Sequence, residues 1–125
     1  MSAQVLMVDL KDDPAIVASY LEHHQTVWPD VRRSLQAAGV RTMDIYILDR
    51  RLVMIVDTGA QDLRECLAAH AGSGPRIAQW EALMRSLQEP SPGAPAGEWW
   101  TAMQPVFHLD GIADLAARRE PAQRG

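Results

Sequence analysis

Two strand-like runs in the middle of the chain are joined by a very short connection. Val40 to Leu48 and Leu52 to Asp57 are rich in β-branched and aliphatic residues, and only Asp49-Arg50-Arg51 separates them. A connection this short cannot carry the chain to a parallel neighbour, because parallel strands need a long crossover. The two runs therefore predict an antiparallel hairpin, and any fold of this chain is built around it.

A strand and a bent helical unit precede the hairpin. The strand covers Val5 to Leu10, and a helix follows it with Asp13 as the N-cap. Pro29 interrupts the helical spacing of apolar residues, so the unit has two segments. We expect Thr26 to cap the second segment and Gly39 to end it.

Helices and one more strand are predicted after the hairpin. Asp62 to Ala69 and Pro75 to Leu87 have helical patterns, with a Gly-rich break between them. Glu89 to Gly97 is rich in proline and glycine and predicts a loop without regular structure. Met103 to Leu109 is interpreted as the last strand, and residues 111–125 as a flexible carboxyl-terminal tail.

The order of these elements is β-α-β-β-α-β. This order predicts an α+β fold of the ferredoxin-like type, an antiparallel sheet with its helices on one face. The first strand of the hairpin has large apolar residues on both of its sides, since Met43, Ile45 and Ile47 alternate with Tyr46 and Leu48. The bare face of the sheet should therefore pack against a second copy, which predicts a homodimer of the α/β-barrel kind.

Composition bounds the domain count and the partners. A chain of 125 residues with 47% hydrophobic content predicts a single domain, which we place at residues 1–110. The 12 basic and 16 acidic residues give a formal charge of −4, and no stretch gathers lysine and arginine. A nucleic acid or an anionic membrane is therefore not the expected partner, and a small neutral or cationic molecule is.

The cysteine content and the amino-terminal residues indicate the cellular compartment in which the protein is expected. Cys66 is the single cysteine, which excludes an internal disulfide and a cysteine-based zinc cluster. The apolar run Val5-Leu6-Met7-Val8 is too short for a signal peptide or a membrane span. We therefore expect a soluble cytoplasmic protein.

One face of the first helix carries side chains suited to chemistry. Tyr20, His24 and Trp28 follow one another at four-residue spacing, so the three can line one wall of a pocket. Spacing alone favours the plainer interpretation, the polar-tipped edge of an amphipathic helix. The remaining histidines are interpreted as solvent-facing or structural: His23, His70 and His108.

The helical segment from Pro75 to Leu87 carries an aromatic residue beside an acid. Trp80 and Glu81 are the kind of pair that carbohydrate sites use, because an indole face covers the C–H surface of a sugar and a carboxylate accepts its hydroxyls. A tryptophan at this position is nevertheless more often a core residue. Trp99 and Trp100 follow the proline-rich loop and either close a pocket or pack the loop onto the domain.

These residues carry a resemblance to a known family. The segment Tyr20-Leu21-Glu22-His23-His24-Gln25-Thr26-Val27-Trp28-Pro29-Asp30-Val31 resembles the amino-terminal signature of the L-rhamnose mutarotase family, Tyr-x₃-His-x₂-(Ile/Val)-Trp-Pro-(Glu/Asp). The similarity covers roughly residues 5 to 110 and includes these later blocks: Met43-Asp44-Ile45-Tyr46, Gln79-Trp80-Glu81-Ala82-Leu83-Met84 and Val106-Phe107-His108-Leu109.

The resemblance implies a dimeric ferredoxin-like enzyme that interconverts the α and β anomers of a 6-deoxy-hexose without a metal or another cofactor. By position it makes His24 the catalytic residue and Tyr20 a sugar contact. Trp80 matches the first of two tandem tryptophans of the rhamnose branch, whereas Glu81 replaces the second and Met43 stands where that branch has tyrosine. These departures are more similar to the branch associated with L-fucose, so we favour L-fucose over L-rhamnose as the substrate.

Mutarotation opens the pyranose ring to an aldehyde and closes it on the other carbonyl face. A proton must reach the ring oxygen and another must leave the anomeric hydroxyl, and a histidine can move either proton near neutral pH. We assign His24 to the ring oxygen. Two alternatives stay open, namely a monooxygenase or haem-degrading enzyme of the same dimeric fold and a sugar-binding module without catalysis.

Overall fold

The computed structural model describes residues 3–110, in which five strands form one antiparallel sheet. The strands are β1 (Gln4–Leu10), β2 (Thr42–Leu48), β3 (Arg51–Asp57), β4 (Gln88–Glu89) and β5 (Thr101–Ala102). Their order is β2-β3-β1-β4, and β5 also pairs with β1. The long strand β1 is therefore central and pairs with β3 along one side. Along its other side it pairs first with β5 and then, toward its carboxyl end, with β4.

The predicted hairpin is confirmed, with a tighter connection than expected. Leu48 already pairs with Arg51, so only Asp49 and Arg50 connect the strands and Arg51 belongs to β3. Asp49 has a φ of 57°, a left-handed conformation that aspartate tolerates better than most residues. The sharp reversal allows the ladder to run the full length of both strands.

Four helices complete the described part of the chain: α1 (Pro14–Gln25), α2 (Pro29–Ala37), α3 (Leu63–Ala71) and α4 (Pro75–Leu87). Asp13 caps α1 as predicted, since its carboxylate accepts the Ala15 N–H at 2.9 Å. The prediction that Thr26 caps α2 is wrong. Thr26 ends α1, and Trp28 precedes α2 without a side-chain cap, because Pro29 holds the preceding residue extended and itself begins the helix. Within residues 3–110, no helix has the length and apolarity needed to cross a membrane.

Burial alternates along the strands and identifies the face that the helices cover. Along β3, Leu52 and Met54 are buried, whereas Val53 between them is only half-buried. The helices contribute the facing core side chains: Tyr20, Val31, Leu63, Ile77, Trp80, Met84 and Leu87. Full burial of one such side chain stabilises the fold by roughly 1.5–3 kcal/mol. The α+β, ferredoxin-like arrangement predicted from the element order is therefore confirmed.

The other side of the sheet, here called the open face, has these apolar residues beside the charged Asp44 and Arg51: Met7, Tyr46, Leu48, Val53 and Ile55. The register places Tyr46 beside Val53 and Val53 beside Met7, so the apolar side chains form a row across three strands. Tyr46 is 60% exposed and Leu48 is 81% exposed. Large apolar residues at this exposure, side by side, are unusual on the surface of a soluble monomer.

The prediction of a last strand over Met103 to Leu109 is wrong. The strand is β5, and its ladder ends when the Met103 N–H donates to the Val5 carbonyl at 2.8 Å. In the antiparallel register Met103 lies opposite Val5, so only Gln4 of β1 remains and the residues from Pro105 onward have no partner in that strand. Val106 and Phe107 are 93% and 81% exposed. The predicted flexible tail, residues 111–125, lies outside the described residues.

Candidate active site

A cavity of about 770 Å³ lies between the helices and the covered face of the sheet. All five side chains that were predicted as site residues line it: Tyr20, His24, Met43, Trp80 and Glu81. They come from α1, β2 and α4, which are far apart in the chain. The volume is in the range of ordinary small-molecule pockets.

His24 lies in the last turn of α1, and its ring is held in one orientation. Its Nδ1 is 2.9 Å from the carbonyl oxygen of Tyr20. A carbonyl only accepts, so Nδ1 carries the proton and Nε2 of the neutral ring keeps its lone pair. The ring stacks on Tyr20 with a centroid distance of 4.1 Å and meets the edge of Trp80 at 5.5 Å. Burial lowers the pKa of His24, and nearby His23 lowers it further.

Tyr20 is almost completely buried, and its hydroxyl is hydrogen-bonded to the side chain of Gln88. Burial raises the pKa of Tyr20 well above its ordinary value, so the hydroxyl stays protonated at any physiological pH. It can donate or accept a hydrogen bond, but it cannot serve as a base. Gln88 also lines the cavity and was not predicted, because nothing local marks a glutamine at the end of α4 as functional.

Trp80 is both a core residue and a wall of the cavity, being only 5% exposed. Trp28 does not line the cavity, although its spacing allowed it to share a wall with Tyr20 and His24. Its ring packs against Trp80 with a centroid distance of 5.0 Å, and the Arg76 guanidinium lies 3.7 Å from the centroid of Trp28. Trp28 therefore contacts a wall residue of the cavity without lining the cavity itself.

Glu81 meets a histidine that was interpreted as structural. The Nε2 of His70 is 3.7 Å from a carboxylate oxygen of Glu81. The Nδ1 of the same ring is 2.8 Å from the hydroxyl of Ser34 on α2. His70 is buried at 5% exposure and lines the cavity, whereas the Glu81 side chain is 42% exposed. Sequence reasoning missed His70 because its partners lie on two other helices.

Met43 belongs to an apolar wall. Met43 and Ile45 on β2 and Met54 on β3 line the cavity, and register pairs Ile45 with Met54. These three side chains point toward the helices, which is why β2 has its half-buried residues at alternate positions. The wall has no hydrogen-bonding group of its own and can accept only an apolar part of a ligand.

The segment from Gly97 to Trp100 closes one end of the cavity. Trp99 and Trp100 line it and also pack against the core, so both interpretations left open by the sequence apply. Among the described residues, the indole N–H of Trp99 is a buried donor without a hydrogen-bond partner. The Arg85 guanidinium lies 5.5 Å from the centroid of the same ring.

Two other histidines lie outside the cavity lining. His23 was expected to face solvent but is half-buried, with an edge contact to Trp80 at 6.4 Å between centroids. His108 was placed in the last strand, but it is exposed in the irregular segment after β5. In the described range 3–110, no three or more His, Cys, Asp or Glu side chains are grouped as a metal site would require.

Comparison of the sequence with known proteins finds a matching family and a similar relative. A sequence profile of L-rhamnose mutarotase matches residues 3–109. The L-fucose mutarotase of Xanthomonas campestris pv. campestris is 40% identical over 113 residues, which cover 87% of this chain and 90% of that protein. The range matched by the profile includes all five predicted site residues.

Solved structures are similar in fold. The L-rhamnose mutarotase of Formosa agariphila aligns with a TM-score of 0.62 at 18% identity, covering 88% of this chain and 100% of that one. Tetracenomycin F2 cyclase of Streptomyces glaucescens aligns with a TM-score of 0.54 at 17% identity, covering 89% and 99%. These likenesses concern the fold alone, which proteins of different chemistry share.

Proposed function

The chain belongs to the L-rhamnose mutarotase family, and from this we propose that it interconverts the α and β anomers of L-fucose in preference to L-rhamnose. A sugar mutarotase of the rhamnose and fucose type is the activity that the family match and the 40% identical relative support. We propose His24 as a proton-transfer residue. The proposed sugar contacts are Tyr20, Met43, Trp80 and Glu81.

The observation that carries this proposal is the fixed orientation of His24 in the cavity. Its Nδ1–H is committed to the Tyr20 carbonyl, so Nε2 is the nitrogen available to a ligand. During ring opening the imidazolium form of His24 gives its Nε2 proton to the ring oxygen, and during closure the neutral ring takes that proton back. The pKa of His24, lowered by burial, makes the imidazolium a stronger acid than a free histidine.

The preference for a 6-deoxy-hexose is supported by the apolar wall. Such a sugar has a methyl group where other hexoses have a hydroxymethyl group, and Met43, Ile45 and Met54 suit a methyl group. L-fucose and L-rhamnose differ in configuration at C2 and C4, so the polar contacts distinguish them. We infer that Glu81 contributes to this selection, because its carboxylate can accept a hydrogen bond from a sugar hydroxyl and a tryptophan face cannot.

The test is the rate at which the purified protein exchanges anomers. Saturation-transfer NMR across a panel of aldoses measures α-to-β exchange directly, with and without the protein. We expect accelerated exchange for L-fucose and L-rhamnose, with L-fucose faster. A sugar-binding module would instead show saturable binding while exchange stays at its uncatalysed rate, and that result would reject the enzyme.

We also propose that the enzyme is a homodimer in the cytoplasm. The open face presents Tyr46 and Leu48, and the segment after β5 adds exposed Val106 and Phe107. A second copy of the chain would bury these apolar side chains, which water would otherwise surround. The free, buried Cys66 suits a reducing compartment.

A further inference from the structure

Ring opening moves two protons, and His24 accounts for one of them. The second group must lie on the same cavity and must be able to take a proton from the anomeric hydroxyl. The Tyr20 hydroxyl cannot do so, because burial keeps it protonated. Of the described side chains that line the cavity, only Glu81 and Glu98 are carboxylates.

The two carboxylates have different surroundings. Glu98 lies 3.6 Å from the Arg64 guanidinium, so its carboxylate already has a cationic partner. Glu81 lies 3.7 Å from the His70 imidazole, and the far side of that ring is fixed at 2.8 Å from the Ser34 hydroxyl. The buried ring therefore acts as an anchored partner that restricts the position of the more exposed Glu81 side chain.

We propose that Glu81 is the second proton-transfer group of this mutarotase and that His70 positions its carboxylate, with Ser34 anchoring His70. The inference rests on the proposed function and deepens it by changing Glu81 from a sugar contact into a catalytic residue. Glu81 and His24 both line the cavity and both adjoin Trp80: Glu81 follows it in α4, and the His24 ring meets its edge at 5.5 Å between centroids. A sugar bound against Trp80 would therefore have both proton-transfer groups in the same part of the cavity.

The steps balance without a co-reactant. In ring opening the Glu81 carboxylate takes the proton of the anomeric hydroxyl and a C1=O1 double bond forms. The C1–O5 bond breaks with its electron pair on O5, which takes a proton from Nε2 of His24. Rotation about the C1–C2 bond then exposes the other face of the aldehyde. In closure Nε2 recovers its proton from O5–H while Glu81 returns its proton to O1, and no atom is oxidised or reduced.

Glu81 and His24 can catalyse ring opening only while the two side chains hold one transferable proton between them. The proton is lost as the pH rises through the pKa of His24, which burial and His23 place below the ordinary 6.5. The other charged side chains that line the cavity come from α2, α3, α4 and the two flanking loops: Arg32, Arg41, Arg64, Arg85 and Glu98.

The decisive variant is Glu81→Gln, which keeps the shape of the side chain and one acceptor oxygen but cannot take up the proton. We expect kcat for L-fucose exchange to fall by about 10²- to 10⁴-fold while sugar affinity, measured by NMR titration, is little changed. Wild-type kcat/KM should fall as the pH rises from 6 to 8. In the variant this decline should disappear, because His24 then acts as a base with water. The control is Glu65→Gln, an exposed carboxylate on α3 outside the cavity lining.

The test of His70 must distinguish positioning of Glu81 from simple support of the fold. His70→Leu should lower kcat by about 10²-fold through loss of alignment, with affinity preserved. His70→Gln should recover most of that kcat, because an amide can bond both Ser34 and Glu81. Since His70 is buried, melting temperatures of both variants accompany the kinetics, and the recovery by glutamine is the result that carries the conclusion.

The outcomes separate this inference from the proposed function. A wild-type protein that leaves exchange uncatalysed overturns both. An active wild type with a fully active Glu81→Gln, or with a loss confined to sugar affinity, overturns the role of Glu81 alone. Equal kcat values for His70→Leu and His70→Gln overturn the positioning role of His70.

Discussion

Replacing His24 with alanine separates catalysis from folding most sharply. A well-placed acid or base contributes about 10²- to 10⁴-fold to the rate, which is roughly 3–5 kcal/mol of transition-state stabilisation. Alanine has no group that exchanges a proton. The cavity stays lined by Trp80 and Tyr20, so we expect sugar binding to persist while anomer exchange falls by that factor.

The cost in stability should be much smaller. The lost hydrogen bond to the Tyr20 carbonyl is worth about 0.5–1.5 kcal/mol, and the ring contacts with Tyr20 and Trp80 contribute a similar amount. Alanine recovers up to roughly 0.7 kcal/mol through its higher helix propensity. The net destabilisation is about 1–2 kcal/mol, which corresponds to a fall in Tm on the order of 5 °C.

The assay is saturation-transfer NMR of L-fucose and L-rhamnose, with calorimetric Tm for the same samples. His23→Ala is the matched control, since His23 is adjacent and half-buried but does not line the cavity. We expect the control to retain exchange. The reasoning is refuted if His24→Ala exchanges anomers as fast as wild type, or if His23→Ala is the variant that loses activity.

Three further predictions concern stability, assembly and metal. Asp9→Asn should lower the free energy of unfolding at pH 7 by about 1.5–3 kcal/mol, because the buried carboxylate accepts from Arg51 and Ser91. Burial alone would raise the pKa of Asp9, but these contacts outweigh it and hold the pKa below 3.8. The difference in Tm from wild type should therefore vanish as the pH falls through that lowered value. Leu48→Glu, on the open face, should convert a dimer into a monomer in light scattering at micromolar concentration, and a monomeric wild type contradicts the assembly. Anomer exchange should survive exhaustive EDTA treatment, and loss with recovery on adding zinc would reveal a metal site.

The elements with local signals were predicted closely. Helix α4 begins at Pro75 and ends at Leu87 as expected, because a proline at the first turn and an uninterrupted apolar stripe mark both ends. Asp13 caps α1 for the same reason, since the cap bond reaches only two residues along the chain. Such signals do not depend on the rest of the fold.

The last strand failed because its pairing is set by a distant part of the chain. Met103 to Leu109 is rich in apolar residues like a strand, but a strand needs a neighbour, and only Gln4 of β1 is left beyond the register of Met103. The apolar residues that remain, Val106 and Phe107, are the ones most exposed in this segment. Their pattern is the one expected if a second chain covers them rather than their own sheet.

The residues of the candidate site also fall into two groups, those that a local sequence pattern predicts and those that depend on packing between helices. Tyr20 and His24 were predicted together because one helix turn relates them, and Trp80 and Glu81 because they are neighbours in sequence. The contact between His70 and Glu81 depends on how α3 packs against α4, and the bond from His70 to Ser34 depends on α2. No periodicity within one helix encodes such an arrangement. The side chains whose roles are hardest to predict from sequence are therefore the ones that connect helices, and in this cavity they lie beside the proposed catalytic carboxylate.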